Sequence, residues 1–157
     1  MSDNKATVRS LADESLSDRQ SQRSADLGAA GGQEAADIQA TVGIDVTGFE
    51  HRISSNDIRH TDTRHGQPRE INGRKIGERS KDQIPLDKED FERIPELYAG
   101  YDRIEKGSPE NNTGLPTVRY VKEYPDGMSY GVEVVVEKEK ILRYTTGWKK
   151  RIKKSSP

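Results

Sequence analysis

From Thr117 to Thr146 the chain reads as three β-rich runs joined by two short turns, and nothing else in it limits the fold so tightly. The first run, Thr117 to Tyr124, is separated from the second, Ser129 to Glu137, by Pro125-Asp126-Gly127. In such a triplet Pro presets φ, Asp can bond its own backbone, and Gly accepts the positive φ of a tight hairpin. Lys138-Glu139-Lys140 then leads into Ile141-Leu142-Arg143-Tyr144-Thr145-Thr146. Runs this closely linked pair antiparallel, so a β-meander is expected. Alternation puts Tyr130, Val132, Val134 and Val136 on one face and Gly131, Glu133, Val135 and Glu137 on the other. Burying two glutamates is costly, which makes the first set the expected core face.

Upstream, Val42, Ile44 and Val46 alternate like a half-buried strand closed by Gly48 and Phe49. Ser54 and Ser55 offer helix caps, with Asp57 completing an approximate capping box and Gly66 placed to stop the helix. Residues 67–83 carry no periodic apolar pattern and are expected to form an exposed loop. Asp87 with Asp90 starts a second helix whose apolar face is Phe91, Ile94, Leu97 and Tyr98, and Pro95 should kink it or end it early. Tyr101 to Glu105 is a short strand candidate, and Ser108 to Pro116 is a loop. Helices laid on an antiparallel four-stranded meander give an α+β layer fold.

The 157 residues are 30% hydrophobic and 34% charged, polar for one packed domain. Residues 1–40 have no aromatic side chain, and Gly28, Gly31 and Gly32 interrupt any helix there. They are expected to be a disordered or weakly helical leader or linker ahead of a domain at 41–157 with a basic C-terminal tail. The absence of cysteine rules out a disulfide framework, a thiolate nucleophile and thiol redox chemistry. No apolar run approaches a membrane span and no secretory signal is visible, so no membrane anchor is expected. Neither a glycine-rich nucleotide fingerprint nor a metal-ligand spacing is present, so neither cofactor nor metal is expected.

Two of the three histidines fall in His60-Thr-Asp-Thr-Arg-His65-Gly66. Histidine can give or take a proton near neutral pH without special tuning, so the pair suggests acid/base work. An ideal helix turns about 140° over five residues and rises about 7.5 Å, which would keep the two rings out of one pocket. The turn at Gly66 frees His65 from that geometry. The plainer role for a histidine at a helix C-terminus is to satisfy the dipole. Arg64 and Arg59 add cations nearby. Arg143, Lys149, Lys150, Arg151, Lys153 and Lys154 surround Tyr144 and Trp148, a composition suited to holding phosphates and stacking bases. On the last run, alternation would put Tyr144 and Thr146 on one face and Arg143 and Thr145 on the other.

Several spaced signatures run in order: Gly48-Phe49-Glu50-His51-Arg52-Ile53, Asp57-Ile58-Arg59-His60, Arg64-His65-Gly66, Ile84-Pro85-Leu86-Asp87, Asp90-Phe91, Ile94-Pro95, Asp102-Arg103-Ile104, then the meander. Over residues 41–150 the chain resembles a phage-associated branch of the barnase, EndoU, colicin and RelE-like nuclease superfamily. The resemblance implies a metal-independent ribonuclease toxin domain that cleaves RNA, tRNA being a natural target. Attack by the ribose 2′-hydroxyl would leave a 2′,3′-cyclic phosphate. It also implies a cognate immunity protein, action in the cytoplasm of a target or host cell, and delivery by secretion, by contact-dependent inhibition or on a phage as part of a larger protein. His65 becomes the first acid/base candidate and His60 the second, with Thr145 and Thr146 as weaker catalytic candidates. Arg64, Arg119, Arg143, Tyr144, Trp148 and Lys149 become candidates for substrate binding. Two other functions fit the residues: a binding module that holds RNA or protein without cutting, and a phage structural or assembly protein.

Overall fold

The computed structural model describes residues 4–152, so Lys153 and Lys154 of the basic tail lie outside the described residues. The chain runs α1 (Asn4–Ser17), β1 (Ser24–Ala29), α2 (Gly32–Val42), β2 (Glu50–Ser54), α3 (Ser55–His65), β3 (Arg69–Ile71), β4 (Arg74–Ile76) and β5 (Gln83–Ile84). It continues with α4 (Lys88–Glu92), α5 (Ile94–Gly100), β6 (Arg103–Lys106), β7 (Thr117–Tyr124), β8 (Gly127–Val136) and β9 (Ile141–Lys150).

Local signals set several boundaries as expected. Ser54 Oγ accepts from Asp57 N at 3.2 Å and caps α3. Asp87 and Asp90 form a reciprocal capping box on α4, and Pro95 sits in the first turn of a separate helix, α5. β7 ends at Tyr124 and β8 resumes at Gly127, so Pro125-Asp126 is the hairpin turn.

The sheet is larger than a four-stranded meander. Its order is β1-β2-β9-β8-β7-β6, with β5 also paired to β9. β6 to β9 are antiparallel neighbours, β2 joins β9 in parallel, and β1 adds an antiparallel edge. The strand expected around Val42–Val46 is instead a helix end and a loop, with Val46 buried, and the pairing begins at Glu50. Within the expected loop at 67–83, Asn72-Gly73 turns a small hairpin of β3 and β4, with Asn72 at φ 51° and Gly73 at φ 77°. Positive φ at both turn residues matches the twist of the two strands.

Most of the leader expected at 1–40 folds as helix, strand and helix, the last helix running on to Val42. Val8, Leu11, Ala12, Leu27, Ala35 and Ile38 are buried in the same cluster as Ile58, Phe91, Leu97 and Leu142. The stripe Val8, Leu11, Ala12, Ser15 has helical spacing but is short and partly polar. Its apolar partners lie on α3 and α4, so composition alone could not reveal it. No helix among the described residues is long and apolar enough to cross a membrane.

The meander is also inverted relative to expectation. The helices cover the face bearing Val118, Tyr120, Val135, Leu142 and Tyr144, and Glu133, which shares it, is fully buried. Tyr130, Val132, Val134 and Val136 point to the opposite, outer face, where Val132 and Val134 are buried as expected and Tyr130 and Val136 are half-buried. The cost of burying Glu133 is offset by His51 on β2, whose Nδ1 lies 2.8 Å from Glu133 Oε2. Only a partner 82 residues away in sequence reverses the face assignment.

Candidate active site

β2 pairs with β9 only at Ile141–Arg143 and β5 only at Lys149–Lys150, which leaves the middle of the β9 edge unpaired by strand. α3, emerging directly from β2, packs alongside β9. This sets the helix bearing both sequence-chosen histidines at the margin of the outer face.

His65, at the last turn of α3, keeps 22% of its side chain exposed, and its Nδ1 lies 2.7 Å from Glu78 Oε1. Glu78 is held in turn: its Oε2 accepts from Arg79 N at 3.2 Å and Ser80 N at 3.1 Å, and its backbone N–H donates to Gly66 O at 2.9 Å. An anionic acceptor at Nδ1 makes that nitrogen the protonated one and leaves the Nε2 lone pair available, the arrangement a general base needs. Glu78 was not visible as a site residue in the sequence, because it follows no periodic pattern and no motif.

Two glycines make the dyad possible. Gly77 has φ 98°, and a Cβ there would stand 2.5 Å from Gln67 O. At Gly66 a Cβ would stand 2.6 Å from the Asp62 carbonyl oxygen and closer still to its carboxylate, which pairs with Arg69. Gly66→Ala should therefore shift the end of α3 and cost about 1–3 kcal/mol. Thermal melting checks this; an unchanged melt would mean that the close approach at Gly66 does not hold the end of α3.

Beside His65 the outer face carries a cationic aromatic stack. The His65 and Trp148 ring centroids are 6.1 Å apart. Tyr130 stacks on Trp148 at 5.2 Å and 9°, Arg119 Cζ lies 5.3 Å from the Trp148 ring centre, and Lys150 Nζ lies 5.4 Å from that of Tyr130. Thr146 is cross-strand from Val132, and Val132 from Arg119, so all three share this face. His65, Trp148, Arg119 and Thr146 thus come together.

The other chosen residues separate. Val132 pairs with Thr146 but Glu133 pairs with Tyr144, so Thr145 is an extra residue in a β-bulge and the simple alternation fails there. Tyr144 is buried under the helices, and Lys149 is buried on the same inner face with its Nζ 3.0 Å from Asp90 Oδ1 and 3.3 Å from Asp126 Oδ2. Burial alone would lower the Lys149 pKa, but those carboxylates raise it and keep the ammonium charged. Neither Tyr144 nor Lys149 can meet a ligand on the outer face. Arg64 is exposed at the end of α3.

His60 is exposed and lines a second cleft of about 600 Å³ with Arg143 and Thr145. Arg143 is clamped there between Asp57, at 3.3 Å, and Glu110, at 2.8 Å. Burial raises the pKa of Asp57 above the usual carboxylate range, outweighing its bonds from Ser54 and Arg143. Burial pushes Glu110 the same way, but bonds from Thr113 and Arg143 prevail and hold it low.

The remaining histidine, His51, belongs to the core. Its ring stacks on Tyr98 at 3.8 Å and lies between Glu133 on Nδ1 and Glu34 on Nε2, the latter at 2.9 Å but off the line of a straight hydrogen bond. Burial disfavours its charge, yet the two carboxylates prevail and push its pKa up to about 10. Glu34, His51 and Glu133 have metal-ligand chemistry among the described residues. With His51 protonated between the two carboxylates, the group reads as an ion triad.

Residues 28–157 match the family described as phage-Barnase-EndoU-ColicinE5/D-RelE like nuclease 3. No curated protein and no solved structure matched the chain.

Proposed function

The chain belongs to the phage-Barnase-EndoU-ColicinE5/D-RelE like nuclease 3 family, and from that premise we propose that it is a metal-independent endoribonuclease of the toxin type with His65 at its catalytic centre. The observation that carries this reading is the His65–Glu78 dyad opening beside Arg119, Trp148 and Thr146 on the outer face. His65 Nε2 takes the proton of a ribose 2′-hydroxyl. The oxygen attacks the adjacent phosphorus, the bond to the 5′-oxygen breaks, and a 2′,3′-cyclic phosphate remains. Arg119 offsets the negative charge gathering on the phosphate oxygens. A second group must protonate the departing 5′-oxygen, and it comes from the outer face or from water, since His60 opens into a separate cleft. Since the nucleophile belongs to the substrate, the scheme needs neither a metal nor a thiol.

A folded RNA such as tRNA suits a toxin of this kind. An acidic immunity protein covering the cationic outer face would protect the producing cell. Delivery would be on a phage or as part of a larger secreted protein, with action in the cytoplasm of the recipient. Expression without an inhibitor should arrest growth and fragment cellular RNA, and His65→Ala should relieve both. Growth at the normal rate with intact RNA during full expression of folded protein would favour a binding or assembly role instead.

A further inference from the structure

The cleft beyond His60 has a charge pattern that the His65 dyad does not use. It is lined by Arg19, Arg59 and Arg143 against Asp57 and Glu110, a surplus of one positive charge before His60 is considered. Among the described residues the Arg59 guanidinium donates to backbone carbonyls, those of Ser15, Asp18 and Ser21, and pairs with no carboxylate. Glu110 Oε2 receives Arg143 Nη2 at 2.8 Å and Thr145 Oγ1 at 3.5 Å. One anionic oxygen thereby accepts from a guanidinium and a hydroxyl, the pair of donors a phosphodiester oxygen would use. Glu110 sits on the β6–β7 loop, and Thr145 lines the cleft together with Arg143. His60 and His65 are five residues apart on one helix, a rise of about 7.5 Å. The turn of about 140° over the same five residues aims the two rings to different sides of the helix, so the cleft at His60 is a separate site rather than an extension of the one at His65.

We infer that this cleft holds a second phosphodiester of a single-stranded RNA, apart from the one at His65, which displaces the Glu110 carboxylate from Arg143 and Thr145. The inference rests on the nuclease reading for the placement of the strand. Its site is separate: the Glu110 loop competes with the substrate for a cation, so affinity depends on a residue remote from the proton transfer.

The test is the affinity of a labelled single-stranded oligoribonucleotide across a salt series, with His65→Ala present throughout to prevent cleavage. Glu110→Gln should tighten binding several-fold, a gain that misfolding cannot mimic. Arg19→Ala, at an exposed position, should weaken binding and reduce the slope of log affinity against log salt by roughly 0.7, the value of one phosphate contact on a single strand. If both variants bind as the background protein does, with unchanged slope, the cleft holds no phosphate while the nuclease reading stands. Protein that binds no RNA at all would contradict that reading along with this one.

Discussion

His65→Ala is expected to lower the RNA cleavage rate by about 10²–10⁴-fold, the range for removing one positioned acid or base, while RNA binding and the melting curve stay close to wild type. The ring is partly exposed, and its one hydrogen bond is to Glu78. Its removal therefore leaves no large cavity, and the Glu78 carboxylate keeps its bonds from Arg79 N and Ser80 N. Glu78→Gln should give a smaller loss, falling on turnover rather than on substrate affinity. The carboxylate touches no substrate: it fixes the tautomer and stabilises the imidazolium that forms. A cleavage assay that separates turnover from KM checks both variants. Wild-type rates in His65→Ala would remove His65 from the chemistry, and a pure KM effect in Glu78→Gln would make Glu78 a binding group.

The second large effect lies in the core. His51→Gln leaves Glu34 and Glu133 buried without the imidazolium between them, and breaking a buried ion cluster in this way costs about 3–5 kcal/mol. At roughly 2–4 °C per kcal/mol for a chain of this size, the melting temperature should fall by about 6–20 °C. Glu133→Gln should be milder, because the triad carries a net negative charge and loses one unit of it. Stability should also depend on pH. The folded pKa of His51, about 10, lies above its ordinary value of 6.5, so its contribution is complete below about 6.5 and is lost as pH rises towards 10. Burial raises the pKa of Glu133 as well, against the opposing pull of His51, so it acts in the same direction from the ordinary carboxylate range upward. Melting curves from pH 6 to pH 10 should therefore show a steady decline in wild type and a flatter profile in His51→Gln. Parallel profiles would place the alkaline loss elsewhere.

What could be read from the sequence was local. The Asp87–Asp90 cap, the break at Pro95 and the Pro125-Asp126-Gly127 hairpin are each specified within four residues, and each lies where expected. His65 at the end of its helix is of the same kind, since Ser54 and Gly66 bound α3. The failures are contacts over long sequence distances. Glu133 reads as a solvent-facing residue until His51 is brought against it. Val8 and Leu11 read as scattered aliphatics until α3 and α4 cover them. Glu78 reads as one charge among many, yet the turn at Gly77 brings it to His65. Tyr144 differs for a related reason: a one-residue bulge breaks the alternation of β9 and turns it away from Thr146 and Trp148, and the register that reveals it lies in β8. Lys149 is drawn inward by Asp90 and Asp126, which are distant in sequence.

The most direct measurement is end-group analysis of RNA incubated with purified wild-type protein in excess chelator. The account predicts fragments ending in 2′,3′-cyclic phosphate with 5′-hydroxyl partners, produced at neutral pH and lost in His65→Ala. RNA left intact by folded protein under those conditions, or cut only when a divalent metal is restored and left with 5′-phosphate ends, would contradict it.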